Sequence, residues 1–291
     1  MSSNSLTHNL LIGARLKTLP AAVVPVLVGT AAASTVGPLI WWRAVAAMVV
    51  SLGLQVATNY VNDYADGDRG TDDDRVGPVR LVGSGLVSSR VVKIAAGTAF
   101  VVAGLAGLML AAVVGWELLM VGAVSMLAGW AYTGGPAPYG YYGLGEVFVF
   151  VFFGVVATVG SAYVHTESVT WLAVLVSVPV GFLAVALLVI NNLRDIPTDR
   201  ASGKQTLAVK LGDRSTRFLY VALFAGAAVT CGVTAINHPF VGVAMIGLLL
   251  AIQPAKVVLS GAVGEQLIGV LGATGRVQIV VGLALALGVS L

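Results

Sequence analysis

Two short polar stretches carry the residues of greatest chemical reach in this chain. One runs Asn62, Asp63, Tyr64, Ala65, Asp66 and continues to Asp72, Asp73 and Asp74; the other runs from Asn191 and Asn192 through Arg194, Asp195 and Pro197 to Asp199. Each pairs an asparagine with an aspartate four residues on, the spacing that stacks both side chains on one face of a helix. Carboxylates gathered in this way repel one another and titrate upward unless cations stand among them, so the pattern implies a divalent ion. Oxygens of Asp, Asn and water are hard ligands suited to Mg²⁺, which keeps part of its hydration and bridges a few carboxylates to phosphate oxygens. Asn62, Asp66 and Asp72 would form one side of such a site, with Asn191, Asp195 and Asp199 the other. Pro197 argues for a turn rather than a regular helix through the second set.

The same loops hold Arg75, Arg80, Arg194, Arg200 and Lys204, a cationic complement that suits phosphate. Mg²⁺ would bind inner diphosphate oxygens while Arg75, Arg80, Arg200 and Lys204 contact outer ones, stabilising the charge that develops as diphosphate departs. A diphosphate whose other end lies in lipid suggests a polyisoprenyl diphosphate and an allylic cation inside a greasy, water-excluding cavity, open to attack by an aromatic nucleophile. Aromatic faces stabilise such a cation. The segment carrying Trp130, Tyr132, Tyr139, Tyr141, Tyr142 and Glu146 around Gly134-Gly135-Pro136 offers them; an interfacial aromatic belt is the competing explanation.

The elements that must position these residues are transmembrane. Of the 291 residues, 58% are hydrophobic and 10% charged, so the surface faces lipid. The net charge of +3 comes without a basic stripe or aromatic-basic platform, which argues against nucleic acid. A lone Cys231 in an apolar run excludes an intramolecular disulfide and a thiolate cluster. Nine apolar windows of span length are expected, roughly at 11–35, 40–61, 92–113, 117–134, 144–164, 170–192, 216–236, 239–259 and 270–290. With the amino terminus cytoplasmic, every Lys and Arg except Arg43 falls at or beside a cytoplasmic segment, and both acidic patches face that side. Arg15 and Lys17 ahead of an apolar stretch resemble a signal peptide, but Pro20 and Pro25 sit badly in its core. The expectation is one all-α membrane domain over residues 1–291, in the plasma membrane, with nine helices around a central cavity. The recurrence of Asn-x-x-x-Asp suggests two pseudo-repeated halves that bring the patches together.

The order and spacing of these stretches resemble the UbiA-type intramembrane aromatic prenyltransferases. The matching segments are Ala14 to Pro20, Asn62 to Asp66 with Gly70-Thr71-Asp72, Arg75 to Arg80, Tyr132 to Glu146, Asn191 to Asp199 and Gly203 to Val209. The resemblance spans essentially the whole chain and implies nine helices around a cavity that opens laterally to the isoprenoid tail, with Mg²⁺ held by two Asp-rich motifs. Its naphthoate branch implies transfer from an all-trans-polyprenyl diphosphate to 1,4-dihydroxy-2-naphthoate, releasing diphosphate and CO₂ to give demethylmenaquinol. Many relatives carry a third acid four residues after the second, which here is Gly70; the naphthoate branch resembles the longer spacing, favouring Asp72 over Asp68 or Asp73. Asp63 is then a candidate for helping to deprotonate the naphthol. Arg15 or Lys17 would meet the acceptor carboxylate, because a buried anion needs a cationic partner. Tyr132, Tyr139, Tyr141 and Glu146 would line or anchor the cavity. No protein partner is implied. The alternatives are another acceptor such as 4-hydroxybenzoate, a secondary transporter, or a CDP-alcohol phosphatidyltransferase, whose contiguous Asp motif is incomplete here.

Overall fold

The computed structural model describes residues 5–71 and 77–291. Among them the regular structure is helical throughout. Helix α1 (Leu6–Gly13) ends at Arg15, whose backbone adopts the left-handed conformation at φ 54° and ψ 65°, and after a 3₁₀ turn (Leu16–Thr18) the chain continues as α2 (Pro20–Ser34). The two segments meet at 56°. Then follow α3 (Trp41–Asp68), α4 (Ser89–Val114) and α5 (Glu117–Ala131). The remaining helices are α6 (Gly145–Thr166), with a π-helical segment at Phe150–Val156, α7 (Trp171–Ala201), α8 (Leu207–Ala235), α9 (Pro239–Leu259) and α10 (Glu265–Ser290).

Seven of these helices are long and apolar enough to cross a bilayer, and eight crossings result if the bent pair α1 and α2 is one broken span. The protein is a multi-pass membrane protein. Nine crossings were expected from the sequence; the window at 117–134 corresponds to α5, which at 15 residues falls short of the usual span.

Two helices exceed what a crossing requires. At a rise of about 1.5 Å per residue, α3 with 28 residues and α7 with 31 overshoot a hydrocarbon layer of roughly 30 Å by several turns. Both Asn-x-x-x-Asp sets lie in the final turns of these helices. Pro197 does not produce the expected turn: α7 runs through it to Ala201. A proline removes a single ladder bond, and the tertiary packing of the last turns maintains the helix. Asn191, Asp195 and Asp199 therefore stack along one helical face.

Helix α7 is apolar on nearly all sides and forms the centre, with Val176, Val180, Leu183, Ala186 and Ile190 buried. It packs along α8, while α3 lies along α4 and α2 lies against α10 and α6. Helix backbones approach closely where side chains vanish. A Cβ on Gly29 of α2 would stand 2.1 Å from the Thr158 carbonyl oxygen of α6, and one on Gly154 of α6 would stand 2.5 Å from Gly181 Cα of α7.

Candidate active site

A cavity of about 270 Å³ lies among α2, α3, α4, α5, α6 and α7. Its inner wall is apolar, with Leu110, Leu118, Leu187, Leu188, Phe152 and Phe153; its mouth is lined by Arg15, Asn62, Arg80, Asn191, Asn192, Asp195, Asp199 and Lys204. The mouth residues of α3 and α7 follow helical spacing. Gln55, Asn59 and Asn62 descend one face of α3 toward Asp66, and Leu188, Asn192, Asp195 and Asp199 descend one face of α7.

Three elements converge at Asp66, which is 1% exposed. Its Oδ1 accepts from the Tyr141 hydroxyl at 2.7 Å, and its Oδ2 accepts from Lys204 Nζ at 3.1 Å. Lys204 Nζ also lies 4.0 Å from Asp199 Oδ1. The loop bearing Lys204 is tied down by its own backbone: Lys204 N–H donates to Asp199 O at 2.8 Å and Gln205 N–H to Tyr141 O at 3.1 Å. Arg69 fastens the tyrosine segment to α3, donating to the carbonyls of Thr133 at 2.5 Å and Gly135 at 2.8 Å, and both Arg69 and Lys204 approach the Tyr141 ring, at 5.2 and 5.0 Å.

Electrostatics follow from this placement. Burial alone would lower the Lys204 pKa, but the anionic Asp66 and Asp199 outweigh it and push the group up to about 12. Burial, reinforced by Asp66, raises the Tyr141 pKa, and burial also raises Tyr139. The tyrosines are therefore neutral donors near pH 7. Arg194 grips Asp195 with two parallel bonds, Nε to Oδ1 at 2.7 Å and Nη2 to Oδ2 at 2.9 Å, with both residues buried. An aromatic wall completes the site: Tyr132 and Tyr139 are 5.5 Å apart by ring centroid, Tyr139 stacks on Phe148 at 3.9 Å, and all three rings line the cavity.

A mouth built of oxygen donors and cations, opening into an oily aromatic chamber, is what the family resemblance requires, and residues 22–263 match the profile of the UbiA prenyltransferase family. The chain belongs to this family. It is 48% identical over 274 residues to the 1,4-dihydroxy-2-naphthoate octaprenyltransferase of Mycobacterium tuberculosis, covering 94% of both chains. It is 38% identical over 229 residues to the Escherichia coli protein of that name, covering 74% of this chain and 72% of the other. Its fold is shared with a UbiA homolog from Aeropyrum pernix K1 solved in its apo form, with a TM-score of 0.71 at 18% identity over 97% of this chain and 98% of that one. A UbiA homolog from Archaeoglobus fulgidus bound to DMAPP and Mg²⁺ superimposes with a TM-score of 0.62 at 14% identity, over 96% of this chain and 99% of the other.

Within this UbiA fold the expected site residues divide. Asn62, Arg80, Asn191, Asp195, Asp199, Lys204, Arg15, Tyr132 and Tyr139 line the cavity, and Asp66 and Tyr141 sit against Lys204 beside it. Asp72 and Arg75 lie outside the described residues, as does the alternative Asp73. Asp68 pairs with exposed Lys93 at 2.8 Å, away from the mouth. Arg200 is exposed and does not line the cavity. Lys17 is exposed and lines an adjoining cleft together with Arg15, Arg80 and Arg194.

Asp63 does not fit the catalytic part expected of it. It is fully buried outside the cavity lining, and its two oxygens accept the backbone N–H groups of Leu81 and Val82, each at 2.9 Å. One residue along a helix turns a side chain by about 100°, so neighbours of a cavity residue point elsewhere. Glu146 likewise is absent from the cavity lining and accepts from Asn192 Nδ2 at 2.9 Å.

Among the described residues no three His, Cys, Asp or Glu side chains stand together in a metal-holding group. The ammonium of Lys204 stands between Asp66 and Asp199 instead. The cavity residues Gln55 and Asn59 escaped the sequence reading, and Asn192 was read there only as part of its stretch. Asn59 donates to the Ala14 carbonyl at 2.9 Å and Gln55 to Thr18 Oγ1 at 3.2 Å, clasping the break before α2. Their spacing with Asn62 and Asp66 on one helical face was the available signal.

Proposed function

We propose that the protein transfers a polyprenyl group from an all-trans-polyprenyl diphosphate to 1,4-dihydroxy-2-naphthoate, releasing diphosphate and CO₂ and giving demethylmenaquinol. The observation that carries this reading is the cavity whose cation-rich mouth passes directly into an aromatic and aliphatic chamber. The relatives bearing the naphthoate prenyltransferase name at up to 48% identity support the acceptor.

The donor set fits Mg²⁺. Asn62 Oδ1 is buried at the mouth with no hydrogen-bond partner among the described residues, and the surrounding donors are hard oxygens. Asn62, Asp66, Asn191, Asp195 and Asp199, with Asp72, would hold the ion. When bound, it would neutralise charge on the departing diphosphate. Arg80 and Lys204 contact diphosphate oxygens in this reading, with Arg75 as a further candidate. The prenyl tail lies along the apolar chamber, and Tyr132, Tyr139 and Phe148 face the allylic carbon and exclude water.

Breaking the prenyl C1–O bond leaves its electron pair on diphosphate. The ring carbon bearing the carboxylate attacks C1, and cleavage of the bond to the carboxylate returns an electron pair to the ring as CO₂ leaves. Atoms and charge balance without net proton removal, so the chemistry does not need Asp63 as a base. Arg15, which lines both the cavity and the adjoining cleft, is placed better than Lys17 to meet the acceptor carboxylate.

The reading includes nine crossings in two related halves, with α1 and α2 as one broken span and α5 as a short one, in the plasma membrane with the mouth cytoplasmic. Arg43 supports the orientation. It sits at the opposite end of α3 from Asp66 and pairs with Glu167 at 3.1 Å, while among the described residues the other Lys and Arg fall in the mouth-side halves of the helices and in the connections on that side.

Turnover by purified protein in nanodiscs, followed by mass spectrometry with a polyprenyl diphosphate and either 1,4-dihydroxy-2-naphthoate or 4-hydroxybenzoate, tests the proposal. Demethylmenaquinol formed with Mg²⁺ and abolished by EDTA is the expected result. Product from 4-hydroxybenzoate alone overturns the acceptor, and no transfer with either acceptor overturns the reaction.

A further inference from the structure

We propose that Asn192 is the residue that recognises the acceptor hydroxyl, with Glu146 as the positioning residue that sets the orientation of its amide. This rests on the reading of the cavity as an aromatic prenyl-transfer site.

Asn192 occupies a boundary. It lies on the cavity face of α7 one turn inward from Asp195, about 4.5 Å along the axis at the helical rise, and one turn outward from Leu188. The charged mouth therefore ends at Asn192 and the apolar chamber begins there. An aromatic ring with polar groups at one edge, set to meet the head of a prenyl chain, has to straddle this level. Tyr132 and Tyr139 also line the cavity.

The orientation of the amide is determined by its partner. The Asn192 edge against Glu146 is Nδ2, which donates to Oε1 at 2.9 Å. Oδ1 is thereby turned away from Glu146. On a residue that lines the cavity, the edge away from its buried partner is the edge available to a bound molecule, and it is an acceptor. An acceptor behind the amide also polarises it, strengthening Oδ1 as an acceptor in a low-dielectric setting. The natural counterpart is a hydroxyl donor on the aromatic ring. A hydroxyl beside the carboxylate-bearing carbon that donates to Oδ1 enriches the ring at the position that attacks.

Glu146 has little other purpose. It is 6% exposed in the first turn of α6, and Oε2 is buried with no hydrogen-bond partner among the described residues. A carboxyl group in a membrane protein interior with one oxygen unpartnered is costly to maintain, which marks it as functional rather than as packing. The preceding Gly145 leaves the Tyr132 ring close by: a Cβ there would stand 3.1 Å from it. Glu146 thus fixes Asn192 at the level of the tyrosine wall.

The experiment combines binding and turnover on full-length protein in nanodiscs. Naphthoate fluorescence titrations without prenyl diphosphate compare 1-hydroxy-2-naphthoate with 2-naphthoate. Wild-type protein is expected to prefer the hydroxylated acid by about tenfold, the worth of one well-placed hydrogen bond. Asn192→Ala is expected to abolish that preference and to raise KM for 1,4-dihydroxy-2-naphthoate while leaving KM for the polyprenyl diphosphate unchanged. Glu146→Ala should reproduce the Asn192→Ala result, the double variant should be no worse than either, and Glu146→Gln, which retains an acceptor oxygen, should recover most of the preference. A hydroxyl preference that survives in Asn192→Ala, or equal KM increases for both substrates, overturns the assignment. Wild-type protein that converts no naphthoate overturns the functional reading itself, and this inference with it.

Discussion

Lys204 Nζ lies 3.1 Å from Asp66 Oδ2, joining residues 138 positions apart, and it leans toward Asp199 at 4.0 Å. Without another cation it is the counter-ion of two buried acids. Lys204→Met should therefore lower the melting temperature of EDTA-treated protein, because Asp66 loses its ammonium partner and Asp199 a nearby positive charge. Mg²⁺ alone should stabilise the variant more than wild type, since the ammonium no longer competes for the acids. Turnover should fall by about 100-fold, the usual cost of losing one charged donor to a developing anion. Equal Mg²⁺ stabilisation of both proteins would separate Lys204 from the metal-binding acids.

The same pair sets an alkaline limit. The folded pKa of Lys204, about 12, is raised above its ordinary value of 10.5, so the group binds its proton more tightly folded than unfolded. Its stabilisation is fully present below the ordinary value and is lost as pH rises through the folded one. The melting temperature of wild type relative to Lys204→Met should therefore hold steady through neutral pH and narrow only in strong alkali. A gap that closes below pH 9 would contradict the assigned pairing.

Asp63 and Asp66 should separate in their failures. Asp63→Ala leaves the buried amide of Leu81 and the part-buried amide of Val82 unpaired, at roughly 1–3 kcal/mol for the buried one, so thermal stability should drop. Turnover per folded molecule should remain near wild type. Asp66→Asn should do the reverse, with a modest change in melting temperature and turnover reduced by about 100-fold or more. A catalytic part for Asp63 would instead show as lost turnover in well-folded protein.

Tyr141→Phe retains the ring beside Arg69 and Lys204 but removes the 2.7 Å bond to Asp66. One hydrogen bond to a charged group is worth about 1.5–3 kcal/mol, which corresponds to a decrease of roughly ten- to hundredfold in kcat/KM if Asp66 orientation governs the reaction. Steady-state kinetics against both substrates measures it, and an unchanged kcat/KM would mean that Lys204 alone orients Asp66.

Helix packing can be tested apart from chemistry. Gly29→Ala drives a Cβ to 2.1 Å from the Thr158 carbonyl, and backbone must move. A loss of about 1–3 kcal/mol is expected from overpacking, read as early melting or aggregation on size-exclusion chromatography. Gly97→Ala in α4 meets nothing within 4 Å and should be neutral or stabilising by up to about 1 kcal/mol.

Legibility in the sequence followed the range of the interactions. Apolar runs disclosed the membrane helices because hydrocarbon imposes its thickness on any chain that crosses it. Their number was less secure: α5 is as apolar as a span and shorter than one, and the first window is broken at Arg15. The Asn-x-x-x-Asp repeats disclosed Asp66, Asp195 and Asp199 because four-residue spacing is a helical property readable one segment at a time. Pro197 misled for the same reason, since its local preference is for a break and tertiary packing overrode it.

What one strand of sequence determined is therefore the solvent, the helices and the inventory of acids, cations and aromatics, since each depends on near neighbours. Which of these face one another was decided only in three dimensions. Asp63 turned into the Leu81 loop while Asp66 turned toward Lys204, Glu146 stepped behind Asn192, and Arg200 turned out to solvent. Side-chain direction changes by about 100° with each helical residue, and partners more than a hundred positions away are chosen by how whole helices pack, so no local pattern contains that choice.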